Sequence, residues 1–282
     1  MGSGIKKVIK SMRQFLIYLL KVRGTTLKDE LRLIIAIIMY LVMLGRRGST
    51  LGFYIPGRKF LTIRTWDGCI FKVRPKTTDL GFATLTSEFY ELTKWFIPNA
   101  KGVVIDVGAN IGGYTVRACR QAELVIAIEP QKEIFELLKV NVENNCTKHN
   151  VILIRKAIGD RKEKALLKIP VNKQVVDSGR ASLSKSNLVL DIESPQIYRY
   201  EEVEVDTLDD IVGSLGINGV DFIKIDIEGA EATAFKGMKY TLQKAKYLMI
   251  EIQPGNEWLI EELKEMGFKL IDRRDMNYFF VK

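Results

Sequence analysis

The apolar and polar positions divide the chain into an amphipathic N-terminal stretch and a series of short apolar runs separated by helical patterns. From Ile5 to Arg23 apolar residues recur at helical spacing, with lysine and arginine on much of the opposite face. Gly24 ends that pattern. A second helix is predicted over Leu27 to Leu44, with Thr26 placed to cap it and Asp29 and Glu30 in its first turn. Its run from Leu33 to Leu44 is unbroken but shorter than the roughly 18 to 20 residues a membrane span needs. Phe60 to Val73 alternates around Asp67-Gly68, the pattern of a β-hairpin. Thr78 to Ile97 is mostly helical in pattern and is stopped by Pro98-Asn99.

From Lys101 onward the period changes. Val103 to Ile105 with Val107, Leu124 to Ile128, Val151 to Arg155, Val220 to Ile227 and Tyr247 to Ile252 are β-branched runs that read as buried parallel strands. Helical patterns lie between them, among them Gln131 to Asn145, a helix begun by Thr207 to Asp210, another begun by Gly229 to Glu231, and Glu257 to Met266. Phe268 to Ile271 and Tyr278 to Val281 predict a closing antiparallel pair. Lys164 to Ile169 and Glu201 to Val205 are further strands. They flank Val171 to Gln196, a polar, serine-rich stretch that reads as a long loop. The pattern predicts an α/β, Rossmann-like fold with an N-terminal helical appendage. Three segments are expected: a helical hairpin over 1–50, a hairpin-and-helix lead-in over 51–98, and a catalytic domain over 99–282.

Charge changes the picture of the appendage. Residues 1–50 hold ten lysines and arginines against Asp29 and Glu30, so +8 of the chain's net +9 lies there. A nucleic-acid enzyme would more often carry its basic surface beside the active site, and no nucleic-acid partner is expected. Three readings compete for this segment: a basic amphipathic hairpin lying on an anionic membrane surface, which is preferred; a hairpin packed on the catalytic domain or a partner chain; and a true span. The three cysteines, Cys69, Cys119 and Cys146, show no paired spacing and are expected as free thiols in a reducing cytoplasm. The one histidine, His149, leaves little room for a His/Cys zinc site or a Ser-His-Asp triad.

The candidate chemistry centres on Lys101 to Ala118. Asp106 sits near the end of the first strand, and Gly108-Ala109-Asn110-Ile111-Gly112-Gly113 leads into a helix. A strand, a glycine-rich turn and a helix make a ligand crevice at the carboxyl ends of a parallel sheet, and the glycines let backbone approach a ligand. Asn110 stands where the dinucleotide fingerprint wants its second glycine, which disfavours a pyrophosphate. Glu129, about 20 residues on, suits two ribose hydroxyls. Together these residues favour a nucleoside without a pyrophosphate. A second constellation, Val220 to Leu242, places Asp226, Glu228 and Glu231 around a strand-to-helix junction. If its strand neighbours the first, Asp226 reaches the same crevice as Asp106. The competing reading has these acids capping the helix that begins near Gly229.

The glycine turn with Glu129 resembles class I S-adenosylmethionine-dependent methyltransferases. With DVGANIGGYT, Ile128-Glu129-Pro130, Asn141 to Asn145, Ala157 to Asp160, Thr207-Leu208-Asp209, KIDIEGAE and the Glu251 strand added, the chain resembles the FkbM family from about residue 80 to its end. The resemblance implies a seven-stranded, mostly parallel sheet with an antiparallel C-terminal hairpin, S-adenosylmethionine as cofactor, and O-methylation of hydroxyls on sugars, glycans, glycolipids or related metabolites. Carried over by position, it places the methionine end of the cofactor near Asp106, Gly108, Asn110 and Gly112. It places the ribose on Glu129 beside Pro130, and the adenine beside Ala157. Asp226 falls near the amino group and the transferred methyl, and Glu88 matches an acid upstream of the first strand. Candidate bases are Asp226, Glu228 and Glu251, with His149 behind them. Metal assistance by these acids is chemically open, but no ligand spacing demands it and no metal site is assigned. The rival from another class is a non-catalytic cofactor-binding subunit of a membrane glycan assembly.

Overall fold

In a computed structural model the described residues are 21–42, 55–172, 175–176, 183 and 197–282. The helix expected over Ile5 to Arg23 lies almost wholly outside them. Of its last residues Lys21 is helical, whereas Arg23–Gly24 (β1) pairs antiparallel with Leu61–Arg64 (β2), which pairs with Ile70–Val73 (β3). The hairpin turns at Asp67-Gly68 as expected, and Gly68 has φ +83°.

The second N-terminal helix runs over Leu27–Val42. It shows two apolar faces of different fate. Leu33, Ala36 and Ile37 are buried in one core with Leu61, Ile63 and Phe71 of the hairpin. Leu27, Leu31, Ile34, Ile35, Ile38 and Met39 are exposed. Arg32, whose charge looked like part of a basic surface, donates instead to the carbonyls of Pro56, Lys59 and Phe60 and ties the helix to the hairpin.

The catalytic part is built on seven strands. In chain order these are Val103–Val107 (β4), Leu124–Ile128 (β5), Val151–Ile154 (β6), Val220–Ile225 (β11), Ala245–Glu251 (β12), Lys269–Arg274 (β13) and Asn277–Val281 (β14). Their spatial order is β13-β14-β12-β11-β4-β5-β6. The five strands from β12 to β6 are parallel, and β14 runs antiparallel to both β12 and β13. This is the architecture the apolar runs predict. The strand order reverses between β4 and β11, and a crevice opens there at the carboxyl ends. Two cores cover the sheet. One joins it to the N-terminal helix and hairpin, and the other to the helices Leu208–Ser214, Lys239–Gln243 and Trp258–Glu265.

A second sheet, β7-β10-β8-β9, is formed by Ala157–Ile158 (β7), Glu163–Asn172 (β8), Val175–Val176 (β9) and Ile197–Asp206 (β10). It takes the first residues of the stretch expected as a long loop, Val171 to Asn172 and Val175–Val176, and β10 begins directly after that stretch. The rest of that stretch, apart from Leu183, lies outside the described residues.

Two asparagines of the helix Lys132–Glu143 and its end explain the Asn141 to Asn145 motif. Asn141 accepts from Lys72 N–H and donates to the carbonyls of Lys72 and Ile111. Asn145 accepts from Ile70 N–H and donates to its carbonyl. One helical turn apart, the two amides pair the free edge of β3 as a neighbouring strand would.

The cysteine expectation is overturned. Cys119 and Cys146 form a disulfide, with their Cα atoms 5.7 Å apart, and only Cys69 is a free, buried thiol. The two positions are 27 residues apart in sequence, and the packing of two helix ends brings them together. The cysteine count therefore carries no argument about compartment. No helix among the described residues is long and apolar enough to cross a membrane.

Candidate active site

The parallel pairing of β4 with β11 sets Asp106 beside Lys224. Beyond these strands the chain turns sharply on both sides. Gly108 and Ala109 donate to the Ile128 carbonyl at the end of β5, and Asp226 N–H donates to the Val107 carbonyl. Gly108 has φ +80°, and a Cβ there would overlap the Asp226 carbonyl oxygen. The expected role of this glycine was close approach to a ligand. The crowding at its Cβ position comes from the turn that carries Asp226, so this glycine is also needed for the close packing of the two turns. Gly112 likewise has φ +95° and faces the Leu138 side chain. Asn110 also takes the left-handed conformation, at φ 50°, which asparagine tolerates better than most residues.

Glu129 joins the two turns. One carboxylate oxygen accepts from Asn110 N–H at 2.9 Å and the other from Gln131 N–H at 2.9 Å. Burial pushes its pKa up to about 7 against those two hydrogen bonds.

A single cavity is lined by Glu88, Gly108, Asn110, Glu129, Pro130, Ala157, Asp226 and Glu228, with Tyr114 and Lys224 among its other walls. Eight of the residues expected in the site therefore share one space. Asp106, Gly112 and Glu251 do not line it. Asp106 is fully buried beneath it and accepts from Thr115 Oγ1 at 2.6 Å. Gly112 packs on a helix, and Glu251 ends β12 beyond Asp226. His149 is exposed in the turn that precedes β6, at the opposite end of the sheet from the cavity, so it is removed from the candidate bases.

The charge of the cavity is lopsided. Lys224 Nζ lies 3.2 Å from Asp226 Oδ2, 3.9 Å from Asp106 Oδ1 and 3.4 Å from the Gly108 carbonyl. Burial works against the charged ammonium, but Asp226, Asp106 and Glu88 outweigh it and hold the lysine pKa above its ordinary value. Burial, joined by the like charge of Asp226, raises Glu88 and Asp106. Glu88 accepts a 2.7 Å hydrogen bond from the Tyr114 hydroxyl.

The second constellation divides between the cavity, lined by Asp226 and Glu228, and the turn behind it, held by Glu231. Strand β11 stops at Ile225, two residues short of the expected end, so Asp226 lies beyond the strand in the same turn as Glu228. Glu228 has φ 55°. Glu231 opens the helix Glu231–Ala234, but its Oε1 accepts from Ile227 N–H in the preceding turn, at 2.8 Å, which ties that turn to the helix and does not cap it. Sequence reasoning places Lys224 in the buried strand but gives it no role, and it passes over Tyr114. The signal for Lys224 was present: a lysine in the middle of Phe222-Ile223-Lys224-Ile225 is buried, and a buried lysine demands partners.

Residues 106–274 match the family described as Methyltransferase FkbM domain, more than half of the chain. No curated protein matches it. Among solved structures, the methyltransferase FkbM from Methylobacillus flagellatus KT is similar at 18% identity and a TM-score of 0.42, over 64% of this chain and 44% of that one. The chain thus spans under half the length of that protein. M. jannaschii TYW2 in complex with AdoMet is similar at 18% identity and a TM-score of 0.39, over 80% of this chain and 85% of that one. M. capricolum TrmK in complex with S-adenosyl-homocysteine is similar at 10% identity and a TM-score of 0.39, over 67% of each. Through the domain over residues 106–274, on a seven-stranded, mostly parallel sheet with the expected antiparallel C-terminal pair, the chain belongs to the FkbM family of methyltransferases, whose cofactor is S-adenosylmethionine.

Proposed function

We propose that the chain is an O-methyltransferase acting on a hydroxyl of a sugar, a glycan or glycolipid, or a related metabolite. The observation that carries the reading is the place of Asp226. It is half-buried, is held by Lys224, and lines the same cavity as Glu129. The cavity and its floor offer Glu88, Asp106, Glu129 and Asp226 against Lys224, which suits a cofactor bearing a sulfonium and an ammonium. Glu129 spends one lone pair of each oxygen on a backbone N–H and keeps others for two ribose hydroxyls. Ala157 and Ile158 give an apolar wall for a base, and Pro130 closes the ribose side.

S-adenosylmethionine supplies an already activated methyl group. The protein's share is to align an acceptor oxygen with it and to take the hydroxyl proton, a contribution of about 10²–10⁴-fold. Asp226 and Glu228, at the cavity wall, are the assigned bases. Glu251, which does not line the cavity, stands behind them. The test is turnover to S-adenosylhomocysteine over a panel of sugars, glycolipids and polyketides. Asp226→Asn or Glu228→Gln should keep acceptor binding and lose most of kcat. Near-normal kcat in both would place proton removal elsewhere. Cofactor binding without turnover on any acceptor would favour the non-catalytic subunit of a membrane glycan assembly.

The partner of the N-terminal segment is an anionic membrane surface. Six apolar side chains of the helix Leu27–Val42 face outward, and the surplus positive charge of the chain belongs to the same fifty residues. An apolar stripe flanked by lysine and arginine is the chemistry of peripheral attachment, with about 1 kcal/mol from each basic residue near the surface. The protein is then an enzyme held at a membrane surface.

A further inference from the structure

We infer that Asp226, Glu231 and Glu251 form a binding site for one divalent cation of the hard, oxygen-seeking class, Mg²⁺, Mn²⁺ or Ca²⁺. The three residues come from the turn after β11, the helix behind it and the end of β12. One carboxylate oxygen from each lies within 4.8 Å of the others. Oxygens bound to one cation can be no farther apart than twice the bond length, about 5.2 Å at the long end for Ca²⁺ and about 4.2 Å for Mg²⁺, so the span holds Ca²⁺ as it stands and Mg²⁺ or Mn²⁺ once the carboxylates draw in by under about 1 Å. Carboxylates without sulfur or imidazole select this class of metal.

The cluster has a second feature that asks for a ligand. Glu231 is only 1% exposed. Its Oε1 is used by the Ile227 N–H, but its Oε2 is buried with no hydrogen-bond partner. Glu251 Oε2 is buried in the same condition. A buried carboxylate oxygen with neither donor nor cation is costly, and two of them in one cluster are more so. Lys224 does not meet the need: it lies on the Asp226 side, within 3.2 Å of that carboxylate. Neither Glu231 nor Glu251 is in a salt bridge among the described residues.

The site borders the cavity through Asp226, so an acceptor hydroxyl could reach the ion from the cavity side. That role rests on the proposed methyl transfer, whereas binding of the ion does not. The test therefore reads binding alone. Titrating the full chain with Mn²⁺ and following free Mn²⁺ by electron paramagnetic resonance should show one site per chain, competed by Mg²⁺ or Ca²⁺. Glu231→Gln keeps an oxygen for the Ile227 N–H, and Glu251→Gln leaves the helix untouched. Each should weaken Mn²⁺ at least tenfold while circular dichroism stays unchanged. If Glu231→Gln fails to fold, Glu251→Gln alone decides. No Mn²⁺ binding by the full chain, or full-strength binding in a folded variant, overturns the assignment.

Discussion

Lys224 Nζ stands 3.2 Å from Asp226 Oδ2, and it is the one basic side chain among the described residues in a salt bridge with either Asp106 or Asp226. The pair sits where β4 and β11 diverge, so a single ammonium holds together two strand ends that would otherwise repel. Removing one partner of a buried pair leaves an uncompensated charge, at a cost of about 3–5 kcal/mol. Lys224→Met should therefore lower the unfolding free energy by about 3 kcal/mol in urea. Because the cofactor brings cationic groups to the same acids, saturating S-adenosylmethionine should raise the melting temperature of the variant more than that of the parent. An equal rise in both would separate Lys224 from the cofactor site.

Glu129→Ala should weaken S-adenosylmethionine binding by roughly 1.5–3 kcal/mol, the scale for hydrogen bonds to a charged group. It also strips the Asn110 and Gln131 N–H groups of their acceptor, so some loss of stability is expected with it. Calorimetry checks the affinity and circular dichroism the fold. Unchanged affinity in a folded variant would remove Glu129 from the ribose role.

Acidity should act on the ligand-free protein and on its cofactor binding with opposite sign. Burial raises Glu129 and Glu231 to about 7 and Glu251 to about 8, from an ordinary 4.5. A carboxyl raised in the folded state adds stability that is fully present below pH 4.5 and is lost as pH climbs through 7 to 8. The ligand-free melting temperature should fall between pH 5.5 and pH 8.5 by roughly 5 °C or more. Glu251→Gln should flatten that slope. Cofactor affinity should rise through about pH 7, where Glu129 ionises. A melting temperature that climbs with pH would contradict the burial of these groups.

Substituting Leu31, Ile35 and Ile38 by serine should abolish sedimentation with anionic liposomes and leave the fold intact, because all three are exposed. Leu33→Ser should do the reverse and destabilise the protein, since that residue is buried against the hairpin. Deleting residues 1–50 outright would mix the two effects. If the full chain ignores anionic liposomes, the outward face has a protein partner instead.

The parallel sheet was legible because each buried strand is a short β-branched run and each turn carries its own glycine or asparagine. The cavity was legible in part for the same reason: Gly108, Asn110 and Glu129 lie at fixed distances from strand ends. Three features were hidden because they join residues far apart in sequence. The Cys119–Cys146 pairing depends on how two helices end. The sheet containing β8 and β10 pairs strands across a polar stretch that has no pattern of its own. The split of the helix Leu27–Val42 into a buried and an exposed apolar face cannot be read from a run that is apolar all round. Gly108 was assigned to the right place for an incomplete reason, since what crowds it is the Asp226 carbonyl.

The disulfide encloses more than two helix ends. The loop it closes contains β5, Glu129 and the helix Lys132–Glu143, so Ile128, Glu129 and Pro130 of the cavity wall belong to one covalent ring. A ring of this size takes about 3–4 kcal/mol of freedom from the unfolded chain. Opened by a reductant, the ring would loosen this wall of the cavity without touching a residue that lines it. The protein's reserve of stability is then set partly by the thiol balance of its surroundings.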